Sequence, residues 1–240
     1  MQRKLFFIRK TKVLFARWNL HSLIEPFTGF LLNLAFLSKF SKWRAAHSKL
    51  SYNDFYTSRW NYSARYSLYE HVLKTEKLDA AINYLEFGVS KGQSFKWWIE
   101  KNKDLNSSFT GFDTFTGLPE DWNVFKAGAM SAEGKTPDVK DSRTKFVKGL
   151  FQDTLPGFLK EFGNEKKTVI HLDADLYTST LYVLGMFAPY LKQGDIIFFD
   201  EFAVPRHEFL AWENFVSSFR IKYEVLGAAN NYYFLAVKIK

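Results

Sequence analysis

Three observations predict an α/β fold built on a doubly wound, mostly parallel seven-stranded sheet. Strand-like runs alternate with helical ones from residue 82 onward. One of them, Asn83 to Phe87, passes straight into Gly88 and Gly92 ahead of a helix. The last two runs are separated only by Ala228-Ala229-Asn230-Asn231. Alternation requires helical crossovers and therefore parallel strands. A short connection allows a hairpin but no crossover, so the final strand is expected to run antiparallel to the rest.

Taken in order, the chain opens on a basic segment and then an aromatic-rich stretch, Tyr52 to Leu73. Its last part has helical spacing through Leu68, Val72 and Leu73, and it is read as the helix leading into the sheet. Strands follow at 82–87, 108–112, 145–148, 168–172, 195–199, 222–227 and 232–239. The intervening helices are expected at 94–101, 154–162, 179–187 and 206–219. Between Glu120 and Thr144 the chain is polar, carries Gly128, Gly134 and Pro137, and exceeds an ordinary connection. It is read as a lid over the sheet edge.

At 240 residues and 47% hydrophobic, the chain can bury one full core. Residues 1–50 are read as a basic amphipathic helical extension and 51–240 as one domain. With no cysteines, disulfides, thiolate nucleophiles and cysteine zinc sites are excluded. The net charge of +8 is uneven: residues 1–50 hold ten Lys/Arg against Glu25, leaving 23 basic and 24 acidic side chains in the other 190 residues. A nearly neutral main domain argues against a nucleic-acid partner.

Within the extension, Phe27, Phe30, Leu31, Leu34 and Leu37 form an apolar helical stripe between Trp18 and Trp43. The stripe is expected to pack on the main domain or a second subunit, with an anionic membrane surface as the other reading. The uncharged run Phe27 to Leu37 is 11 residues long, short of the ~20 a spanning helix needs. Arg9, Lys10, Lys12 and Arg17 interrupt the apolar start, against a cleaved secretory signal. Cytoplasmic residence is the default expectation, with peripheral attachment to the inner membrane face as its variant.

The glycine loop after Glu86 places a ligand site at the first strand–helix turn. Glycine lets the backbone turn sharply and approach a ligand, and the helix start favours negative charge. The spacing is Glu-x-Gly-x-x-x-Gly, not the Gly-x-Gly-x-x-Gly of a dinucleotide cradle. The second strand ends in Asp113, 27 positions beyond Glu86, where an acidic side chain commonly accepts ribose hydroxyls. As a turn former, Asp113 has a purely structural reading as well.

Two later strands end in acid: His171-Leu172-Asp173-Ala174-Asp175 and Phe199-Asp200-Glu201. Carboxylates gathered at the carboxyl edge of a parallel sheet repel one another unless a cation lies between them, and oxygen-rich sites suit hard ions such as magnesium. A divalent metal held by Asp173, Asp200 and Glu201 is therefore expected. Asp173 or His171 is the candidate proton acceptor, although a strand histidine is more often a satisfied core residue. Asp175 is assigned the structural alternative of capping the helix near Tyr177.

Four stretches occur in order: Tyr84-Leu85-Glu86-Phe87-Gly88-Val89; Phe112-Asp113-Thr114-Phe115-Thr116-Gly117-Leu118-Pro119; Leu172 to Thr180; and Gly194 to Glu201. Together they resemble the macrocin O-methyltransferase family of class I S-adenosylmethionine-dependent methyltransferases, over about residues 65 to 240. The resemblance implies a Rossmann-like fold and magnesium-assisted methyl transfer to a sugar hydroxyl. It implies that Glu86, Gly88 and Gly92 meet the cofactor's amino-acid end with Ser94 close by. Asp113 with Thr114 would meet the ribose, and Gln152 and Asp153 the adenine edge. The family pattern usually has Asp-Asp where this chain has Asp200-Glu201.

Other readings share parts of this pattern. A metal-independent or catechol-type methyltransferase differs in its response to Asp200→Asn. A non-catalytic membrane-surface or partner-binding module would depend on residues 1–50. An NAD-linked enzyme shares the sheet but leaves the acidic strand ends unexplained.

Overall fold

The computed structural model describes residues 2–122 and 124–240. Two helices, α1 (Gln2–Arg17) and α2 (His21–Ala46), precede α3 (Ala64–Glu76). Then come β1 (Ile82–Phe87), α4 (Gln93–Lys101), β2 (Ser108–Asp113), β3 (Thr144–Lys148), α5 (Phe151–Leu159), β4 (Lys167–Leu172), α6 (Tyr177–Phe187), β5 (Ile196–Phe199), α7 (Glu208–Phe219), β6 (Tyr223–Ala229) and β7 (Phe234–Ile239). The seven strands lie in the order β3-β2-β1-β4-β5-β7-β6. Only β7 runs antiparallel to its neighbours, β5 and β6, as the short hairpin connection requires.

Strand order reverses between β1 and β4, which pair in parallel from Ile82↔Lys167 to Phe87↔Leu172. Ligands of open α/β sheets bind at such a reversal, outside the carboxyl ends of the strands. Every residue of β1 is buried, because helices cover both faces. Tyr84, Trp98 and Phe198 meet α3 through Leu68, Tyr69 and Val72 on one face. On the other face Phe87, Phe112, Phe187, Phe199, Trp212 and Phe215 pack together.

The lead-in helix starts at Ala64, later than the aromatic stretch suggested. Residues 52–63 are committed elsewhere: Ala228 N donates to Tyr52 O at 2.9 Å and Asn230 N to Asp54 Oδ2 at 2.7 Å, tying the stretch to the β6–β7 hairpin. Helix α5 begins at Phe151, earlier than expected, since Gly149 at φ +144° turns the chain directly out of β3. Part of the segment read as a lid folds back on the end of β2. Ala132 N and Gly134 N both donate to Phe115 O, at 3.1 and 2.7 Å. Asn123, within that segment, lies outside the described residues.

The extension departs from expectation in length. Helix α2 has 26 residues and is long and apolar enough to cross a membrane by length and composition. The 11-residue count stopped at isolated polar positions that a hydropathy window tolerates. At its far end Trp43 is buried, touching Phe202 and Phe209, and its Nε1 donates to Tyr223 Oη at 2.9 Å. The end of the extension is therefore part of the main core.

Candidate functional site

A cavity of about 690 Å³ opens at the reversal point, lined by the glycine loop from Gly88 to Ser94, by Asp113, Thr114 and Gln152, and by Asp173 and Asp175. Its size falls within the ~300–1,000 Å³ usual for small-molecule and cofactor sites. The opposite wall comes from Leu118 to Glu120, Met130 and Ser131, which belong to the connection after β2. Glu120 Oε1 accepts a 2.6 Å hydrogen bond from Thr178 Oγ1 at the start of α6, joining the two rims.

Gly88 occupies φ +91°, and a Cβ there would stand 1.8 Å from the Asp173 carbonyl oxygen. The close approach is fixed by the sheet, since Asp173 N donates to Phe87 O at 2.9 Å. Gly92, at φ +73°, precedes α4, where a Cβ would meet Pro137 at 2.7 Å. Asp113 holds the loop between them. Its Oδ2 accepts Val89 N at 2.8 Å and Ser90 N at 2.7 Å, and its Oδ1 accepts Phe115 N at 2.7 Å. Asp113 thus organises both loops flanking the cavity while facing into it.

Glu86 lies beneath the loop, fully buried and outside the cavity lining. Its carboxylate accepts Ser94 Oγ at 2.8 Å and Tyr84 Oη at 2.5 Å. The structure thus sets Glu86 beneath the glycine loop, with Ser94 and Tyr84 as its partners. Ser94 is buried and Thr114 donates to Gly117 O at 3.0 Å. Gln152 reaches the cavity, whereas Asp153 stands in the first turn of α5, outside the lining.

The acidic strand ends converge, but not in the set expected. Ligand-type oxygens of Asp173, Asp175 and Glu201 all lie within 4.8 Å of one another. Asp200 turns away. Its Oδ2 pairs with Arg65 at 2.8 Å, and its Oδ1 accepts Tyr69 Oη at 3.3 Å. Asp200 and Glu201 follow the last residue of β5, and the Arg65 and Tyr69 contacts engage the Asp200 carboxylate while Glu201 joins the cluster. Asp175, at φ +58°, swings its side chain back to the cluster, and the first residue before α6 is Leu176, with no side-chain cap.

Burial, reinforced by repulsion from neighbouring carboxylates, raises the pKa values of this cluster. Asp173 and Glu201 are held well above the usual carboxylate range, and Asp175 is pushed up to about 7 although Glu201 opposes the rise. Glu208, in the first turn of α7, accepts Glu201 N through Oε2 at 3.0 Å and is likewise raised by burial. Glu201 Oε2 and Glu208 Oε1 are buried with no hydrogen-bond partner. Orphaned carboxylate oxygens are costly in a low-dielectric interior. An oxygen-ligated cation such as Mg²⁺ fits this donor set.

His171 is fully buried and does not line the cavity, so the structural reading of this residue holds. Nδ1 meets Tyr84 Oη at 2.8 Å and Nε2 meets Tyr69 Oη at 3.0 Å. Burial works to lower its pKa, but Asp200 and Glu86 outweigh that and lift it to about 9. Sequence reasoning passed over Arg65, which is buried among these acids, 3.7 Å from Asp173, and stacked 3.8 Å from the Tyr62 ring centre. The signal available was Tyr62-Ser63-Ala64-Arg65 on the rim of a helix otherwise read for its apolar face.

A seven-stranded sheet with an antiparallel β7, a cavity at the β1/β4 reversal and an acid-tipped second strand define a class I methyltransferase fold. Residues 85–202 match the family described as a methyltransferase domain. A curated relative from Streptomyces olivaceus, 8-demethyl-8-(2,3-dimethoxy-alpha-L-rhamnosyl)-tetracenomycin-C 4'-O-methyltransferase, is 38% identical over 64 residues, 27% of this chain. The aligned stretch spans 23% of that relative's length. Among solved structures, the calicheamicin methyltransferase CalS11 matches with a TM-score of 0.55 at 22% identity, covering 74% of this chain and 77% of that one. The O-methyltransferase NovP matches with a TM-score of 0.56 at 19% identity, covering 74% and 78%.

Proposed function

We propose that this protein transfers a methyl group from S-adenosylmethionine to a hydroxyl of a sugar-type acceptor, with a divalent metal at the acidic cluster. The observation that carries the reading is one cavity lined by both the Asp113-pinned glycine loop and the Asp173 and Asp175 carboxylates, with the buried Glu201 carboxylate within 4.8 Å of that pair. The sugar O-methyltransferase named for the curated relative supports the acceptor class.

In this reading the Gly88–Gly92 loop and Asp113 hold the cofactor, with Gln152 on the opposite edge. Asp173, Asp175 and Glu201 would hold the metal, whose Lewis acidity would lower the pKa of a hydroxyl and orient it. Asp173 lines the cavity and reaches both parts of the site. With the metal bound it would be ionised and placed to accept the hydroxyl proton as the methyl carbon's bond to the sulfonium sulfur breaks, leaving its electron pair on sulfur, and the carbon's bond to the oxygen forms. Leu118 to Glu120, Met130 and Ser131 form one wall of the cavity, where they would limit the access of water to the reacting centre.

Isothermal titration with S-adenosylmethionine, with and without Mg²⁺, tests this reading. Binding to the intact chain, weakened in Asp113→Ala, is expected. No binding by the intact chain would overturn it. Methyl transfer that persists in excess chelator would retain the methyltransferase but remove the metal.

A further inference from the structure

We infer that α1 and α2 form a peripheral docking surface for an anionic lipid bilayer, on which the protein rests with its cavity close to the headgroups. The inference does not depend on which acceptor the site uses. Phe7, Trp18, Phe27 and Phe30 are each at least 60% exposed, and Leu23, Leu31, Leu34 and Leu37 at least 50%. Positions 23, 24, 27, 30, 31, 34 and 37 recur at helical spacing, so they form one apolar stripe along α2. So large an unburied apolar surface marks an interaction site.

Charge selects the partner. The ten cations of residues 1–50 stand against one acid, whereas the rest of the chain is nearly balanced. Six of them lie on α1, and Lys39, Lys42 and Arg44 lie at the far end of α2. Apolar side chains flanked by Lys and Arg fit an anionic headgroup layer, where each cation adds attraction within about a Debye length. A protein partner burying this stripe would have to tolerate the same cations at its rim.

The mode is peripheral. Asn33, outside the stripe, accepts a hydrogen bond from Arg206 at 3.4 Å, and Phe40 and Trp43 pack on Phe202. The second half of α2 is therefore held against the domain. Residues 21–32 remain, about 18 Å of helix at ~1.5 Å per residue, short of the ~30 Å hydrocarbon core. The loop that grips α2 also carries Glu201 and His207, and His207 lies edge-on to Trp122 of the connection after β2. Docking through α2 therefore presents the cavity mouth near the lipid surface.

Vesicle flotation of the full chain tests the inference, comparing phosphatidylglycerol-containing vesicles with pure phosphatidylcholine. Binding to the anionic vesicles alone, reduced by high salt and not requiring carbonate-resistant insertion, is expected. Neutralising Arg9, Lys10 and Lys12 to Gln should weaken partition about a hundredfold, from roughly a factor of five per cation. Phe27→Glu with Phe30→Glu should also release the protein. Circular dichroism and S-adenosylmethionine titration of each variant report the fold independently. Absence of binding to either vesicle, equal binding to both, or resistance to carbonate extraction overturns the inference, as does a concentration-dependent oligomer that sheds lipid. Failure of cofactor binding in the parent chain would instead count against the methyltransferase reading and leave this one standing.

Discussion

Replacing Arg65 by Met should destabilise the protein more than any surface ion-pair change could. The guanidinium is 2.8 Å from Asp200 and 3.7 Å from Asp173, with side-chain exposures of 6%, 0% and 23% for the three residues. Exposed pairs are worth at most ~1 kcal/mol. Removing one member of a buried pair costs about 3–5 kcal/mol, because the other charge is left uncompensated. For a chain of this size that corresponds to a fall in Tm of roughly 6–20 °C, taking ~2–4 °C per kcal/mol. Urea and thermal unfolding of the metal-free protein would read the effect. The double variant Arg65→Met, Asp200→Asn should recover most of the loss, since the orphaned charge is gone. A single variant within ~1 kcal/mol of the parent, or a double variant no better than the single, would refute the assignment of Arg65 as the counter-ion of this acidic core.

Further outcomes follow from the same geometry. Gly88→Ala places a Cβ 1.8 Å from a sheet-anchored carbonyl oxygen at φ +91°, so loss of cofactor binding together with a stability loss above ~2 kcal/mol is expected, read by titration and urea unfolding. Glu201→Gln should abolish the rise in Tm that Mg²⁺ produces while leaving S-adenosylmethionine binding within about threefold, measured by thermal unfolding and calorimetry. Trp43→Ala, which empties a buried site and strands Tyr223 Oη, should cost ~3–5 kcal/mol in chemical denaturation.

Most of the fold could be read from hydrophobic period and connection length, because those reflect local geometry. The strand starting near Ile82, the antiparallel β7 and the helix after Gly92 all stand where expected. Less legible was anything set by partners distant in sequence. The choice of Asp175 over Asp200 depends on the Arg65 and Tyr69 contacts that engage Asp200 and on a positive φ at Asp175. Neither is encoded in spacing. Arg65 escaped notice for a similar reason: its partner, Asp200, lies 135 positions away. The apolar length of α2 was underestimated because an uncharged run, not the mean hydropathy along the helix, was the measure applied.

The placement of Glu86 and His171 follows from a demand that the site itself creates. Carboxylates gathered at one sheet edge raise the local negative potential, and burial magnifies it. A line of buried hydrogen bonds answers that demand. Ser94 and Tyr84 each donate a hydrogen bond to Glu86, Tyr84 and Tyr69 flank His171, and Tyr69 donates to Asp200, which holds Arg65. Two cations are thereby set against the acids: Arg65, at the cavity wall, and a histidine lifted to about 9, buried behind it. Asp173 and Asp175 face the cavity, with the buried Glu201 beside them, and the charge of the three is only partly countered. Glu86 acts in this arrangement as the anchor that ties the glycine loop to the acid cluster. The loop that would hold a cofactor and the carboxylates that would hold a metal are therefore two ends of one rigid network, which is what methyl transfer between two precisely separated atoms requires.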